Sequence, residues 1–420
     1  MNFIKEGKWA KMNRVNELIK EYCPDGVEIR CLEDCCNLLD KKRKPITKAA
    51  REAGEYPYYG ANGIQDYVAN YIFDGTFVLV GEDGSVITKS GTPVVTWAEG
   101  KIWVNNHAHI IEEKEGVMLR YLYHYLQTID VTSLIHGNIP KLTGGDFKAL
   151  KIAVPPLEVQ REIVHILDSF TLLTAELTAE LTARKKQYNF YRDKLLTFES
   201  DIPLLPIKEV VKKSCAGATP AKGNPEYYED GTIPWIRTQD VRFNEITEVD
   251  SFITEKAVEE TAAKWIPENC VIVAISGATA GRCAINKIKA TTNQHCLNMK
   301  IDNEKALYKY VYYCICSKQD ELISKKQGAR GDLNSSLILG TKIPVPKLEI
   351  QKKIVHVLDN FESICSDLNI GLPAEIEARQ KQYEYYRDLL LTFAETGSTL
   401  MTDRQTDRQT DRQTDRAERN

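Results

Sequence analysis

One short segment contains residues that could position an adenine for methyl transfer. Asn224-Pro225-Glu226-Tyr227 approaches the Asn/Asp-Pro-Pro-aromatic motif of adenine methyltransferases, but Glu226 replaces the second proline. No glycine-rich cofactor turn follows a strand at the required place, and the chain has no P-loop for a nucleotide. We therefore interpret the segment as a loop and predict a chain without catalytic residues.

Metal and redox chemistry have equally weak support. Four of the 11 cysteines are close together in the sequence, but their spacing matches no common zinc pattern: Cys23, Cys31, Cys35 and Cys36. We interpret them as buried thiols and expect no metal site. The first residues lack the apolar core of a signal peptide, so we expect a cytoplasmic protein with reduced cysteines.

Composition indicates a soluble, multidomain protein. The chain has 420 residues, with 43% hydrophobic and 27% charged residues, which is typical of globular proteins. At roughly 150 residues per domain, two or three domains are expected. No apolar run reaches the roughly 18 residues of a membrane span, so we expect no membrane contact.

Two stretches of the sequence occur twice in the chain. Residues 152–170 recur as residues 343–361 with 12 of 19 positions identical, and residues 183–198 recur as residues 378–393 with 12 of 16 identical. The offsets of 191 and 195 residues are too long for a solenoid repeat and indicate two copies of a whole module. The runs beginning at Asn106 and Asn293 occupy equivalent places in the two copies.

The conserved stretches predict long helices. From residue 157 to 198 there is no Pro or Gly, and apolar residues recur in steps of three, four and seven. One helix cannot bury such a seam, so we expect the two copies to pair, with an interruption at Gly371 and Pro373. The seam residues are Leu167, Phe170, Leu173, Leu177, Leu181, Tyr188, Tyr191, Phe361, Leu368, Tyr383 and Tyr386.

These patterns predict an α+β fold of two pseudo-repeated globular domains joined by two long antiparallel coiled-coil helices. Short apolar runs before Gly-rich turns, such as residues 76–80 and 270–274, predict strands in the globular stretches. The predicted segments are a helical N-terminus at 1–23, globular domains at 24–151 and 201–342, helical stretches at 152–200 and 343–394, and a disordered tail at 395–420.

Two tetrapeptide runs remain. Thr174-Ala175-Glu176-Leu177 repeats at residues 178–181, either as helix filler or as a ruler in which each unit adds about 6 Å. Residues 402–416 repeat Thr-Asp-Arg-Gln, which a repeated four-base unit, ACAG, can encode. Gain or loss of one unit would shift the frame, so we hypothesise phase variation. Sequencing many clones tests this; mixed synonymous codons or an invariant tract length would contradict it.

The repeated motifs resemble those of a known family. Val154-Pro155-Pro156-Leu157-Glu158 with Gln160 and Ile163, its copy at residues 345–354, and the repeated Lys-Gln-Tyr-x-x-Tyr-Arg-Asp pattern resemble the specificity subunit of type I restriction–modification enzymes. The Thr-Ala-Glu-Leu repeat resembles the type IC branch. The resemblance covers residues 12–394.

The resemblance implies a non-catalytic DNA-recognition subunit. Each globular domain would be a target recognition domain that reads one half of a split DNA sequence. The helices and their seam would set the spacing and dock two modification subunits that methylate adenine. The chain would have no cofactor of its own, since S-adenosylmethionine, ATP and Mg would bind to the modification and restriction subunits. The expected partners are therefore double-stranded DNA and those subunits.

Composition alone does not indicate DNA binding. Residues 24–151 hold 14 Lys and Arg against 17 Asp and Glu, and residues 201–342 hold 19 against 18. Local charges could still contact phosphates, although ordinary surface charge is the alternative for each. The candidate phosphate contacts are Lys41, Lys42, Arg43, Lys44, Lys212, Lys213, Lys222, Arg237, Lys325, Lys326 and Arg330. The candidate base readers are Asn62, Gln65, Asn138, Lys141, Gln239, Arg330 and Asn334.

Two other functions fit the same residues. One is a specificity protein that serves a methyltransferase without a restriction partner, and the other is a coiled-coil scaffold with two protein-binding heads. His165 and His356 occupy equivalent helix positions, which favours packing or docking over catalysis. Neighbouring genes would distinguish a restriction–modification subunit from a specificity protein that serves a methyltransferase alone. A DNA pulldown with the modification subunit would distinguish both of these from a scaffold.

Overall fold

The computed structural model describes residues 14–199, 202–326, 332–366 and 370–392. Arg330, Leu368 and the predicted tail at 395–420 lie outside the described residues. The chain divides into two compact units. Unit 1 comprises Met1–Leu177 and Ile376–Asn420, and unit 2 comprises Thr178–Glu375. Each unit contains one globular domain and a part of both helical stretches.

Unit 1 is built on a six-stranded sheet. The strands of the whole unit are β1 Glu28–Cys31, β2 Asn37–Leu38, β3 Ala53–Gly60, β4 Gly63–Val68, β5 Phe73–Gly81, β6 Val95–Val104, β7 Ala108–Glu112, β8 Ile135–His136, β9 Lys141–Leu142 and β10 Lys151–Val154. The sheet order is β2-β7-β5-β6-β3-β4. Only the β3–β6 pair in this sheet is parallel. Residues 77–80 of β5 are buried, which agrees with the strand predicted there.

The helices of unit 1 pack on the sheet. They are α1, described at residues 14–22, α2 Leu32–Cys35, α3 Leu119–Leu126, α4 Gly144–Lys148 and the beginning of α5 Leu157–Leu195. The described part of α1 agrees with the helical N-terminus predicted from the sequence. Buried side chains of α1, α3 and α5 share one apolar core with the sheet, because each helix has an apolar face.

Unit 2 is built on a five-stranded sheet and a three-stranded sheet. Its strands are β11 Leu204–Pro206, β12 Val211–Ala216, β13 Ile233–Ile236, β14 Glu245–Ile246, β15 Phe252–Ile253, β16 Val271–Ala274, β17 Cys283–Asn286, β18 Thr291–Thr292, β19 Cys296–Ile301 and β20 Lys342–Pro344. Its helices are α6 Glu255–Glu260, α7 Tyr308–Ser317, α8 Gln319–Ser324, α9 Ser335–Gly340, α10 Leu348–Ser366 and the beginning of α11 Leu372–Leu391. The sheet orders are β12-β19-β16-β17-β14 and β15-β13-β18.

In each globular domain the first and last strands pair just before a long helix begins. The first strand of each domain pairs antiparallel with its last strand, β1 with β10 and β11 with β20. Helices α5 and α10 follow these last strands after short Pro-containing connections. The domain ends are therefore fixed against the helices.

The glutamine of the repeated Pro-rich motif is a buried clamp. The Gln160 side chain is fully buried. It accepts a hydrogen bond from the Met118 backbone N–H (2.9 Å) and donates to the carbonyls of Pro155 (2.8 Å) and Gly116 (3.1 Å). These bonds tie the start of α5 to the loop before α3. Since an unpaired buried amide is costly, this position requires a side chain that both donates and accepts.

The second copy of the motif makes the same clamp. Gln351 is also fully buried. It accepts from the Leu307 N–H at 2.9 Å and donates to the carbonyls of Pro346 at 2.8 Å and Lys305 at 3.3 Å. The sequence repeat is therefore a repeat of a specific hydrogen-bonding arrangement.

An aspartate that is present in both copies joins each helix to its domain. Asp168 of α5 accepts hydrogen bonds from Arg120 Nε at 2.7 Å and His124 Nε2 at 2.9 Å. The other ring nitrogen of His124 lies 2.9 Å from the Tyr383 hydroxyl. In unit 2, the equivalent Asp359 contacts Lys309 at 3.0 Å. It also accepts a hydrogen bond from the Tyr313 hydroxyl at 2.5 Å.

The predicted seam forms the same aromatic pair in each unit. Phe170 stacks on Tyr386 in unit 1 with ring centroids 5.1 Å apart. Phe361 stacks on Tyr191 in unit 2 at 5.7 Å. Each pair joins a position of one copy to a position of the other. The predicted interruption is also confirmed, because α10 ends at Ser366 and α11 begins at Leu372, with the proline in its first turn.

Candidate nucleic-acid interface

Three loops and a strand of unit 1 meet through backbone hydrogen bonds. The N–H of Asn105, in the β6–β7 loop, donates to the Tyr59 carbonyl at 3.1 Å, next to the β3–β4 turn. The N–H of Glu82, after β5, donates to the His107 carbonyl at 2.8 Å. The Glu82 carbonyl accepts from the N–H of Leu142 in β9 at 2.9 Å. The loops around these residues therefore form one surface.

The β6–β7 loop is held by a buried asparagine. Asn105 is 3% exposed. Its side-chain oxygen accepts from the His107 N–H at 2.8 Å, and its amide donates to Gln65 Oε1 at 3.3 Å. This Asx turn leaves Asn106 and His107 exposed. The His107 ring also pairs with the Asp83 carboxylate.

Unit 2 contains the same turn with the same backbone partners. The N–H of Asn293 donates to the Ile236 carbonyl at 3.0 Å, and the N–H of Ile275 donates to the His295 carbonyl at 2.9 Å. The Ile275 carbonyl accepts from the Leu333 N–H at 2.8 Å. Asn293 is 8% exposed, and its side chain accepts from the His295 N–H at 3.1 Å.

The shared turn corrects the alignment of the two copies. The sequence comparison placed Asn106 opposite Asn293, but the hydrogen bonds equate Asn105 with Asn293 and His107 with His295. Neighbouring asparagines at 105 and 106 made the alignment ambiguous. The Asn-x-His spacing was the signal that could have identified this turn.

Several predicted DNA contacts of unit 1 lie on or beside this surface. Gln65 bonds to Asn105, Asn62 lies in the β3–β4 turn, and Lys141 begins β9. Asn138 lies between β8 and β9. The backbone N–H of Lys44 donates to the Val104 carbonyl at 3.4 Å, just before the Asn105 turn. The side chains of Lys41, Lys42, Lys44, Asn62, Gln65, Asn138 and Lys141 are exposed.

Arg43 is held in an internal ion-pair network. Its Nη1 lies 2.6 Å from Glu82 and 2.7 Å from the Ala108 carbonyl. Glu82 also pairs with Lys141 at 3.3 Å, and Asp40 contacts His109 at 2.6 Å. These bonds occupy much of the guanidinium, so Arg43 orders the surface. Its predicted phosphate contact stays a prediction.

The same network is the candidate metal cluster of the described residues. Ligand atoms of Asp40, Glu82 and His109 lie within 4.8 Å of one another. Burial raises the pKa of Asp40, but the His109 hydrogen bond and Arg43 outweigh it and hold that pKa below its usual range. Because Arg43 already supplies positive charge to Glu82, we interpret the cluster as an ion-pair network.

Fewer predicted contacts of unit 2 lie at its equivalent surface. Arg237 directly follows Ile236, and its Nε is buried without a hydrogen-bond partner among the residues that the structure describes. Gln239 is exposed two residues later. Asn334 follows Leu333, but its side-chain oxygen caps α9 by accepting from the Leu337 N–H at 2.7 Å. This bond gives Asn334 a structural role, while its amide nitrogen could still donate.

The remaining predicted lysines of unit 2 lie elsewhere in the chain. Lys212 and Lys213 are exposed within β12, and Lys222 is exposed in the loop before β13. Lys325 and Lys326 follow α8, where Lys325 pairs with Glu321 at 2.6 Å. Within the described part of unit 2, these five side chains make no hydrogen bond or ion pair to the Asn293 turn, and their phosphate contacts stay predictions.

The four N-terminal cysteines are free thiols within the described chain. Cys23, Cys35 and Cys36 are buried. The thiols of Cys35 and Cys36 each donate to a backbone carbonyl four residues earlier. Burial raises the pKa of Cys36 to about 12, which disfavours the thiolate that zinc requires.

The helices present a different kind of surface. Among the seam residues, Leu167 and Phe170 are buried, and Leu173, Leu177, Leu181, Tyr188, Phe361 and Tyr386 are half-buried. Tyr383 is buried, whereas Tyr191 is 37% exposed. Phe190 and Tyr385 occupy equivalent positions off the seam and are 61% and 49% exposed. Periodicity could not identify them, because it marks the buried face. No helix in the described ranges is long and apolar enough to cross a membrane.

Comparisons with known proteins place these features in one family. Residues 24–184 and 200–378 match the type I restriction modification DNA specificity domain. A Haemophilus influenzae protein named as a type I restriction enzyme specificity subunit is 35% identical over 88% of this chain and 96% of its own length. The EcoR124I/EcoR124II specificity subunit of Escherichia coli is 38% identical over 66% of this chain and 71% of its own length.

Solved structures share the fold. The S subunit of a type I restriction–modification system from M. genitalium has a TM-score of 0.52 and 16% identity, over 87% of this chain and 94% of that one. A structure from a study of type I R-M complex assembly has a TM-score of 0.52 and 15% identity, over 89% of this chain and 97% of that one. With its two matched domains and repeated loop surface, this chain belongs to the family of type I restriction–modification DNA specificity proteins.

Proposed function

We propose that this chain is the DNA-sequence-specificity subunit of a type I restriction–modification complex, in which each globular domain binds one half of a bipartite target. The observation that carries the proposal is the repeated loop surface, in which Asn105 and Asn293 hold the same turn against the same neighbouring loops. A repeated framework with different exposed side chains suits two half-sites of different sequence. The chain itself recognises DNA and does no chemistry.

The helices act as the spacer between the two half-sites. Phe170, near the start of α5, stacks on Tyr386, and Tyr191, near the end of α5, stacks on Phe361. Residue numbers in the second copy therefore decrease as those in α5 increase. This order supports an antiparallel coiled-coil pairing. Helix α5 has 39 residues, or about 58 Å at 1.5 Å per residue. The Thr-Ala-Glu-Leu repeat lies inside it, so the number of repeats would set the spacing.

The same helices dock two modification subunits. Phe190 and Tyr385 support this, because equivalent exposed aromatics in the two copies offer the same anchor twice. His165 and His356 are likewise exposed at equivalent positions. Two equivalent surfaces suit two copies of one partner.

Chemistry belongs to the partners. The modification subunits carry S-adenosylmethionine and methylate adenine, and the restriction subunits use ATP and Mg to drive cleavage. The recognition domains have nearly balanced charge, with 14 basic against 17 acidic and 19 against 18 residues. Partner subunits would therefore supply a large share of the phosphate contacts.

Methylome sequencing tests the proposal. In a host that expresses this gene with its modification partner, we expect a split adenine-methylated motif with a fixed gap. Replacing residues 24–151 by the equivalent domain of a related specificity protein should change one half only. If both halves change, the modular reading of DNA is wrong.

The same host separates the alternative functions. Methylation without cleavage of unmodified DNA, in cells that hold every neighbouring gene, would indicate a methyltransferase that lacks a restriction partner. If no split motif is methylated although the modification subunit co-purifies with this chain, a protein-binding scaffold is favoured.

A further inference from the structure

The turn shared by the two units supports an assignment that goes beyond the predicted contacts. We infer that the side chains at the tip of this turn read bases, with the exposed Asn106 and His107 reading one half-site, and the exposed Gln294 and the half-buried His295 reading the other. The inference rests on the proposed function and specifies where specificity lies within each domain.

The turn is a fixed framework in both units. Asn105 and Asn293 are 3% and 8% exposed, and each bonds to the backbone two residues later. Backbone bonds to two neighbouring loops hold both ends of the turn. A pre-ordered loop loses little conformational entropy when it binds, which suits a recognition element.

The exposed tip of the turn differs between the units. In unit 1 it carries Asn106, and the His107 ring is paired with Asp83. In unit 2 it carries Gln294, whose side-chain oxygen accepts a hydrogen bond from the Thr219 hydroxyl. The Gln294 amide nitrogen lies 3.2 Å from His295 Nε2. The two tips thus combine one constant histidine with amides of different length and different neighbours.

The chemistry of these tips favours base edges. A side-chain amide can both donate and accept, which matches N6 and N7 of adenine in the major groove. Asp83 and Glu82 adjoin the unit 1 turn, and their carboxylates would repel a phosphate but can accept from cytosine N4. Arg43 and Lys141 each pair with Glu82 and offset its charge.

Alanine substitution in the assembled complex tests the assignment. The complex with modification subunits would be assayed for methylation of duplexes that carry the wild-type motif or single-base changes. We expect Asn106→Ala to reduce discrimination at a base of one half by about tenfold or more, with the other half unaffected. Gln294→Ala should do the same in the opposite half. Asn70→Ala and Asn303→Ala, at exposed polar sites away from the turns, are the matched controls.

A conservative variant guards against misfolding. Asn106→Gln keeps an amide and copies the unit 2 tip, so it should support methylation and discriminate at the same base, with an altered preference. If Asn106→Ala retains wild-type discrimination, or if it changes both halves, the assignment is overturned. Loss of methylation in both the Ala and Gln variants with intact assembly and folding also overturns it. Failure of the wild-type complex to methylate any split motif would instead refute the proposed function.

Discussion

At the residue scale, the repeated motif is explained by burial of an amide. Gln160 and Gln351 are fully buried and make matching sets of three hydrogen bonds. The sequence identified both positions as parts of the motif. It could not show what they bond, because two of the three partners of each glutamine come from a loop more than 35 residues earlier in the chain.

Replacing this amide should destabilise unit 1. Gln160→Ala leaves a buried N–H and two carbonyls without partners, so we expect the free energy of unfolding to fall by about 2–3 kcal/mol. Urea denaturation followed by circular dichroism would measure this. Gln187→Ala, at an exposed site on the same helix, should change it by less than about 0.5 kcal/mol. Equal effects of the two substitutions would contradict the clamp.

Histidine 124 should make unit 1 sensitive to acid. Burial lowers the pKa of His124, although the Asp168 hydrogen bond opposes this shift. The unfolded chain therefore binds a proton more readily than the folded one, and stability is lost as pH falls below the ordinary histidine value of about 6.5. Asp168 also has a lowered pKa, because its hydrogen bonds outweigh its burial, but it titrates below this window.

Replacing His124 by the residue that unit 2 has at this position should reduce the sensitivity of unit 1 to acid. The equivalent position in unit 2 is Tyr313, which does not gain a proton between pH 5 and 7. We expect His124→Tyr to reduce the loss of stability between pH 7 and 5, measured as the shift in thermal unfolding midpoint. His136→Gln, at an exposed histidine, is the matched control for the loss of an imidazole. A variant with an undiminished shift would show that other groups cause it.

At the element scale, the apolar seam of the sequence becomes a set of specific pairs. Spacing in steps of three, four and seven predicted which residues face a partner helix. It also led to the expectation that the two copies pair. The identity of each contact, such as Phe170 with Tyr386, required the tertiary structure, because periodicity gives a face and not a register.

The two aromatic pairs should differ in strength. Phe170 is 1% exposed, whereas Phe361 is half-buried. We expect Phe170→Ala to lower the free energy of unfolding by about 3–5 kcal/mol and Phe361→Ala to lower it less. Phe190→Ala, at a site 61% exposed, should have little effect. Chemical denaturation of the three variants checks this order, and a larger loss for Phe361→Ala would contradict it.

At the scale of the whole molecule, the direct repeat in α5 should determine spacing. One additional Thr-Ala-Glu-Leu adds four residues, or about 6 Å of helix, which corresponds to between one and two base pairs at about 3.4 Å each. We expect the gap of the methylated motif to lengthen while both halves stay unchanged. Methylome sequencing measures the gap, and insertion of Gly-Gly-Gly-Gly at the same place is the control that should impair methylation by weakening the helix. An unchanged gap would contradict a role of the repeat in spacing and would favour its interpretation as helix filler.

The modular plan can be read from the sequence alone. Two repeats at offsets of 191 and 195 residues, a long helical seam and the Pro-rich motif indicated two domains and a family, and they led to the expectation that the helices pair. These features are visible because hydrophobic periodicity and repeated sequence motifs are local patterns along the chain. The predicted base readers were chosen by residue type, so the sequence could not separate exposed Asn62 from Asn334, whose oxygen caps a helix.

Which loops share a surface depends on the three-dimensional fold. Asn105 and Asn293 each bond within their own turn. Loops that are distant in sequence bond to the same turns, and this shows which loops lie together. The ion-pair network of Arg43, Glu82 and Asp40 likewise joins segments that are about 40 residues apart. Such long-range contacts depend on how the strands pair, and strand pairing is set by packing across the whole domain rather than by any local pattern.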